Sequence, residues 1–367
     1  MPVSISERIT FVTRKGRYSP ARQCKLKNSL LAGVGYLELA NAADFAANVW
    51  NEVPVPHFAM ALMAVGGTFT LIISCFAFKD VRLSWRNVLL LLDERSHLRR
   101  QKVHYAQDKQ SVRALDCHLD VNSREMGAEL TDRIGMDILM GFGAVLVGIG
   151  TFMAIGGANP SVHQASNLLS GYIGNGPTAL YGTINALWSA HVWRRAQRHE
   201  TARAGMLKQG TVNRLLKDRL YTVKIHAAMN GMTGVVAGVA SLITATMWWG
   251  YIVLTPCIIS SIFCNYVWRH RIGYDRPLAQ QPLELSRVSL VEELEFVTFA
   301  RKIPEEAPSD SLLKLVSNPE SIALVIEFIV KNDLFEDFCI HLLKDTPLSA
   351  TLFGTLKEEL TSVANSP

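Results

Sequence analysis

The chain has 367 residues, of which 49% are hydrophobic and 19% charged, and its formal net charge is +5. The apolar residues are gathered into blocks rather than spread at the periods of a soluble amphipathic fold, which points away from a water-soluble globular protein. The basic excess forms no compact domain and carries no interleaved aromatics, which argues against a nucleic-acid partner.

At about 20 residues per membrane span, the apolar blocks predict six transmembrane helices, at 29–50, 57–78, 134–155, 169–192, 226–247 and 250–267. Seven Lys or Arg residues precede the first block, eleven lie in 79–133, nine in 193–224, three in 268–276 and seven in the remaining tail. The alternate connections, 51–56, 156–167 and 248–249, carry none. This asymmetry places every basic connection on the cytosolic side and predicts three αα-hairpins with both termini cytosolic. The expected class is therefore an all-α, polytopic integral membrane protein, with the membrane domain at 29–276. The particular membrane, endomembrane or plasma membrane, is not legible. An anionic lipid face is the expected neighbour of the basic connections.

The arm 1–28 is polar and basic, with no regular element predicted and no short apolar stretch followed by a cleavage site; the first block is expected to act as an uncleaved span. Its sequence, SLLAGVGYLELANAADFAANVW, is unusual. Glu38, Asn41, Asp44 and Asn48 fall within an arc of about 120° at 100° per residue. An acid at the middle of a bilayer costs about 2.5–3.5 kcal/mol on insertion scales and normally faces a partner or a wet cavity. The four residues are candidate substrate- or ion-binding groups, with Glu38 first; the same stripe would serve equally as a polar seam joining helices.

The connection 81–110 has helical periodicity and is expected to extend the second span into the cytosol, whereas 116–129 is more polar and reads as a loop. Asp137 follows Arg133 by four residues and is expected to pair with it. Gly141, Gly143, Gly148 and Gly150 in the third span, and Gly234 and Gly238 in the fifth, predict close helix contacts. Asn185, Asn230 and Asn265 are expected to bond across helices. The fourth span opens with Gly171, Gly174, Asn175, Gly176 and Pro177. This cluster reads either as an irregular or re-entrant backbone lining a substrate site, or as an external loop running to Pro177. Gly174, Asn175 and Pro177 join the candidate binding set. Matches at a spacing of 108, Gly35 with Gly143, Gly66 with Gly174 and Trp85-Arg86 with Trp193-Arg194, fit an internal repeat, and equally the common needs of any membrane hairpin.

Beyond Arg276 the composition changes, and 277–367 holds fifteen acidic and seven basic residues. Helices are predicted at 283–301, 309–316, 319–330 and 334–343, the third capped by Asn318 with Pro319 at its first turn. This acidic cytosolic module suits a protein partner at 283–367, and a second copy of the chain is a further partner left open.

No cofactor or metal is expected. The six cysteines include no CxxC pair, the ten histidines form no ligand set, and no phosphate-binding, nucleophile-elbow or aspartate-rich diphosphate motif occurs. The six-span, three-hairpin layout is shared with mitochondrial carriers, but no odd span contains the proline-acid-base signature that family needs. The segments GYLELANAADFAANVW and GNGPTALYGTINALWSAHVWRRAQRHE resemble multi-pass integral membrane proteins of filamentous fungi that are themselves uncharacterised. The resemblance covers roughly 29–276, implies a polytopic membrane fold, and brings no catalytic residues. Three functions stay open: a transporter or transport accessory for a small molecule or ion, a non-catalytic membrane organiser acting through its cytosolic tail, and a membrane-embedded lipid or isoprenoid enzyme using Glu38 or Asp44 as an acid.

Overall fold

The computed structural model describes residues 11–14, 17–20, 25–50, 54–206, 211–278, 316, 321–332 and 334–345. The chain divides into two compact units, Leu26–Arg287 and a smaller one formed by Met1–Lys25 with Val288–Pro367.

The smaller unit holds an antiparallel hairpin of β1 (Phe11–Arg14) and β2 (Arg17–Pro20), with Phe11 opposite Pro20 and Arg14 opposite Arg17. The arm expected to lack regular structure thus contains a strand pair, in keeping with the β-favouring Phe11, Val12, Thr13 and Tyr18. Two ten-residue helices, Ile322–Lys331 and Phe335–Lys344, match the last two predicted helices of the tail. The predicted helix 283–301, nearly all of 309–316, and the Asn318–Pro319 cap lie outside the described residues.

Among its described residues the larger unit is helical apart from short connections and the strand residues Leu26 and Arg276–Pro277. It begins with a broken segment, comprising a 3₁₀ turn at Ala32–Tyr36, α1 (Leu37–Asn41) and α2 (Phe45–Val49). Five long helices follow: α3 (His57–His104), α4 (Lys109–Ala154), α5 (160–206), α6 (Thr211–Thr244) and α7 (Gly250–Ile272). Four of them, α3, α4, the Asn213–Thr244 part of α6, and α7, are long and apolar enough to cross a membrane. Their outer faces carry Leu62, Val65 and Ile72 on α3, Met232 and Val239 on α6, and Ile252 and Ile259 on α7, all exposed. Glu38, Asp44, Asp80, Glu129, Arg133 and Asp137 are buried instead. An apolar outside around a polar inside is the pattern of a protein solvated by lipid.

At about 1.5 Å per residue, the 48 residues of α3 extend about 72 Å, more than twice the hydrocarbon thickness. The helical extension expected at 81–110 is therefore present through His104. The stretch 116–129, expected as a loop, is helical instead. Asp108 caps α4 by accepting from the backbone amides of Gln110 at 3.0 Å and Ser111 at 3.4 Å, and Leu115 and Met126 are buried along the helix. The Ser111 hydroxyl and the Gln110 amide hold the Asp108 carboxyl below its ordinary pKa.

The first predicted span and the fourth differ most from expectation. The segment 29–50 contains no continuous helix; it is short turns enclosed by α3, α4 and α7. In the fourth region the helix starts earlier than predicted, at Pro160, with Asn159 as its cap. It passes through a π-helical turn at Leu168–Gly174 and continues from Asn175 to Met206. The Gly-rich cluster is thus neither an external loop nor a re-entrant break. The wide turn accommodates Pro177, which has no N–H and whose ring crowds the carbonyl one turn back. The proposed repeat partner, Gly66-Gly67, lies in regular α-helix in α3, so the two segments differ locally.

Packing of α5 against α6, and of α3 against the apolar half of α4, is the most extensive in the unit. The expected small-residue contacts form. A Cβ added at Gly182 would lie 2.1 Å from the Gly234 carbonyl oxygen, and one at Gly238 would lie 2.9 Å from the Ala179 Cα. Asn185 Nδ2 donates to the Asn230 carbonyl at 3.0 Å, and Asn230 Nδ2 donates to Asn185 Oδ1 at 3.0 Å. This contact can be tested by substitution. Gly182→Ala should force α5 and α6 apart at a cost of about 1–3 kcal/mol, visible as a lower unfolding temperature of the detergent-solubilised protein. At Gly156 an added Cβ meets nothing closer than 3.5 Å, so Gly156→Ala should leave that temperature unchanged.

Candidate functional site

The polar stripe of the broken segment lies inside the helical unit. Asp44 is fully buried; its Oδ1 accepts from the Tyr251 hydroxyl at 2.8 Å and its Oδ2 from Asn48 Nδ2 at 3.0 Å. Asn48 Nδ2 also donates to the Tyr251 oxygen at 2.7 Å. This triad is satisfied and ties the second half of the segment to α7. Asn41 donates to Thr178 Oγ1 on α5 at 2.9 Å, while its own Oδ1 has no hydrogen-bond partner. A Cβ added at Gly143 would meet the Gly174 carbonyl oxygen at 2.5 Å, Thr178 Oγ1 at 3.5 Å and Asn41 Oδ1 at 3.7 Å. The absence of a side chain at Gly143 is thus what lets α4, α5 and the broken segment meet.

Glu38 differs from these. It is 5% exposed and its Oε2 has no hydrogen-bond partner. Tyr181 on α5 and Cys257 on α7 lie within range of its charge. Asn175 is also fully buried, with neither Oδ1 nor Nδ2 bonded. Of the predicted set, the structure joins Asn41 to the Gly174–Thr178 turn and Asp44 to Asn48. Glu38 and Asn175 are left buried without full partners. Pro177 contributes no polar side chain and acts through the helix path.

A second buried polar system, on the polar extensions of α3 and α4, was not predicted as a unit. Arg133 lies at its centre. Its Nε and Nη2 donate to Asp80 Oδ2 at 3.0 and 2.9 Å, and its Nη1 donates to Glu129 Oε2 at 3.0 Å. Glu129 also accepts from Asn87 Nδ2 at 2.8 Å, from the Tyr274 hydroxyl at 2.6 Å and from the Ser84 hydroxyl. Asp80 Oδ1 accepts from the Leu31 amide at 2.9 Å, and Arg133 Nη2 donates to Ser29 Oγ at 3.2 Å. The same network therefore holds the start of the broken segment. Asp137, expected to pair with Arg133, receives no hydrogen bond from it, because the guanidinium is directed to Asp80 and Glu129. Further out, Arg276 binds Glu94 through Nη1 at 2.7 Å and Nη2 at 2.8 Å, and Glu125 Oε2 through Nε at 2.9 Å. Burial lowers the pKa of Arg276, but the two carboxylates more than offset this and hold it above its ordinary value.

Beside this network two cavities adjoin. The outer, about 130 Å³, is bordered by Arg124 and Asp132 of α4, Trp188 of α5, Arg219 of α6, and Tyr274. The inner, about 50 Å³, is bordered by Val34 and Gly35 of the broken segment, Met136, and Tyr181. Asp132, His226, Asn230 and Trp268 border both. Glu38 lies four residues beyond Val34 in the chain and borders neither of these two cavities. Among the described residues, no group of three or more His, Cys, Asp or Glu is arranged to hold a metal ion.

Part of the missed network was visible as spacing. Asp80, Ser84, Asn87, Leu91, Glu94 and Leu98 recur every three or four residues on α3, the signature of a face turned toward another helix. The roles of Tyr251, Thr178 and Tyr274 have no such signal, since each partner comes from a distant part of the chain. No known protein family matches the chain, and neither a curated protein nor a solved structure shows significant similarity to it.

The ion network gives a contrast between two classes of pair. Arg133→Met would leave Asp80 and Glu129 buried without their cation and should destabilise the protein by about 3–5 kcal/mol. Lys102→Ala removes only the pair with Asp116, whose members are 41% and 50% exposed, and should cost less than about 1 kcal/mol. Denaturation of both purified variants, followed by circular dichroism, measures the difference.

Proposed function

We propose that this chain is a six-pass membrane protein with both termini cytosolic, acting as a transporter or transport accessory for a small molecule or ion. The four apolar helices supply four passes, and the broken segment and α5 supply the first and fourth. The cytosolic assignment rests on the distribution of basic residues. The transport reading rests on one observation above the others: Glu38 is buried on the short helix α1 of the broken segment, with Oε2 unpaired among the described residues.

An unpaired buried carboxyl is costly unless it serves something. Irregular backbone at membrane depth is tolerated where protein or a cavity surrounds it, and recurs at the binding sites of transporters. Asn41 Oδ1 and both polar atoms of Asn175 add further unpaired groups nearby in sequence or contact. Asp44 has a different part in this reading. With Tyr251 and Asn48 satisfying both oxygens, it anchors the broken segment while Glu38 receives the ion or proton.

A second reading, a membrane organiser, is favoured by the division of the chain into a helical unit and a separate smaller unit that contains the acidic tail. Removing 283–367 should abolish function under that reading and spare transport under the first.

Glu38→Gln separates the chemical role from the structural one. In proteoliposomes or intact cells, ion-dependent uptake should fall at least tenfold while the protein remains folded and inserted. Glu38→Met should raise the unfolding temperature, because it removes an unpaired polar group whose burial costs about 1–3 kcal/mol. Unchanged uptake in Glu38→Gln together with a lowered unfolding temperature in Glu38→Met would instead make Glu38 a packing residue.

A further inference from the structure

The residues shared by the two cavities have an unusual hydrogen-bonding character. Asp132 Oδ2 accepts from the Trp188 indole N–H at 2.8 Å, and Oδ1 takes no hydrogen bond among the described residues. His226 Nε2 lies 3.2 Å from the Cys264 carbonyl oxygen. A carbonyl can only accept, so Nε2 carries the proton and Nδ1 is left as an acceptor. Asn230 is fixed in orientation by its exchange with Asn185, in which its Nδ2 donates to Asn185 Oδ1; its remaining side-chain atom, Oδ1, is again an acceptor. The junction of the cavities thus offers three acceptors, one of them a carboxylate, against one remaining donor, the second N–H of Asn230 Nδ2. Trp268 completes the shared wall, with its ring centroid 5.6 Å from that of His226.

The mouth has the opposite character. Arg124 lies eight residues before Asp132 on α4, about 12 Å along the helix axis, and Arg219 faces it from α6. Arg219 donates to the carbonyls of Arg271 at 3.1 Å and Ile272 at 3.3 Å, which orient the guanidinium without neutralising it. Glu125, the other acid of the outer cavity, is held by Arg276 at 2.6 Å and lies at the longer distance of 3.9 Å from the Arg124 guanidinium. Arg194, Arg195 and Arg198 border a neighbouring surface cleft and extend the positive field around the mouth.

An ammonium group carries three donors and one charge, matching three acceptors and one carboxylate, and it is attracted to an indole face. An anion matches the arginine mouth. We propose that this cavity binds a small zwitterion, with its ammonium group at Asp132, His226 and Asn230 beside Trp268, and its anionic group at Arg124 and Arg219. The ligand class, an ammonium joined by a short linker to an anion, is shared by free aminoalkyl phosphates or amino acids and by the headgroup of an aminophospholipid in the cytosolic leaflet. The site involves neither Glu38 nor Asp44, and binding to it does not require that the protein transport anything.

The test uses the full chain purified in detergent, with O-phosphoethanolamine as the probe and ethanolamine and inorganic phosphate as its separated halves. Binding is read by tryptophan fluorescence, since Trp188 and Trp268 border the outer cavity, and by calorimetry. O-phosphoethanolamine should saturate, with each half binding at least tenfold more weakly. Asp132→Asn keeps an acceptor for the Trp188 indole, so it should fold; it should weaken O-phosphoethanolamine at least tenfold and leave phosphate unaffected. Arg124→Gln should weaken O-phosphoethanolamine and phosphate and leave ethanolamine unaffected. Competition by nanodiscs containing phosphatidylethanolamine, compared with nanodiscs of phosphatidylglycerol alone, identifies a lipid source; binding undisturbed by them identifies a free one. Absence of saturable binding by the folded wild-type chain, equal binding of a half and the whole probe, or an affinity unchanged by both substitutions would each overturn the proposal. Loss of uptake in Glu38→Gln with zwitterion binding intact would support transport and this site separately, and the reverse pattern would separate them in the other direction.

Discussion

A peptide chain that leaves the helix inside an apolar slab exposes carbonyls and amides that no lipid can satisfy, and it must therefore be enclosed by protein. That constraint organises the large unit. The broken segment has no uninterrupted helix longer than five residues, and α3, α4 and α7 surround it. Gly143 permits close approach on one side, and Tyr251 binds Asp44 on another. At its start, the Leu31 amide is bound by Asp80 and the Ser29 hydroxyl by Arg133.

These anchors connect the two polar systems. The Arg133 network offsets the burial of several acids with a guanidinium and neutral donors, so its value lies in holding one arrangement of α3, α4 and the broken segment rather than in raw stability. Removing the cation would be far more damaging than never having had the cluster. The acids along the broken segment follow a different logic. Asp44 has both oxygens satisfied by neutral donors, whereas Glu38 is buried with Oε2 unpaired among the described residues. This difference between two carboxyls six residues apart is what separates a structural acid from a candidate working one.

The cavities lie between these systems and draw on both. Their walls come from α4, α5, α6, α7 and the broken segment, so any movement of the segment would alter the inner cavity through Val34 and Gly35. The π-helical turn at Glu129–Gly135 carries Asp132 and Arg133. From adjacent positions on it, Asp132 borders both cavities and Arg133 holds the ion network while also bordering the inner cavity.

Much of the architecture was legible in the sequence. The apolar blocks, the helical extension of α3, a close helix contact at Gly234 and cross-helix bonding by Asn185 and Asn230 follow from composition and periodicity, which act locally or along one helix face; their partners do not. The early start of α5 was also written there, as Asn159 followed by Pro160, the same capping signal read at Asn318-Pro319. Sequence alone determined that polar groups would be carried into an apolar environment, since Glu38 and Asp44 stand within an apolar block whatever its fold. Tertiary structure decided which of them would be satisfied. Tyr251 is 207 positions from Asp44, and Asp80 is 53 from Arg133. At such separations a hydrogen bond is chosen by how helices pack, and periodicity along one helix cannot encode the identity of the residue waiting on another.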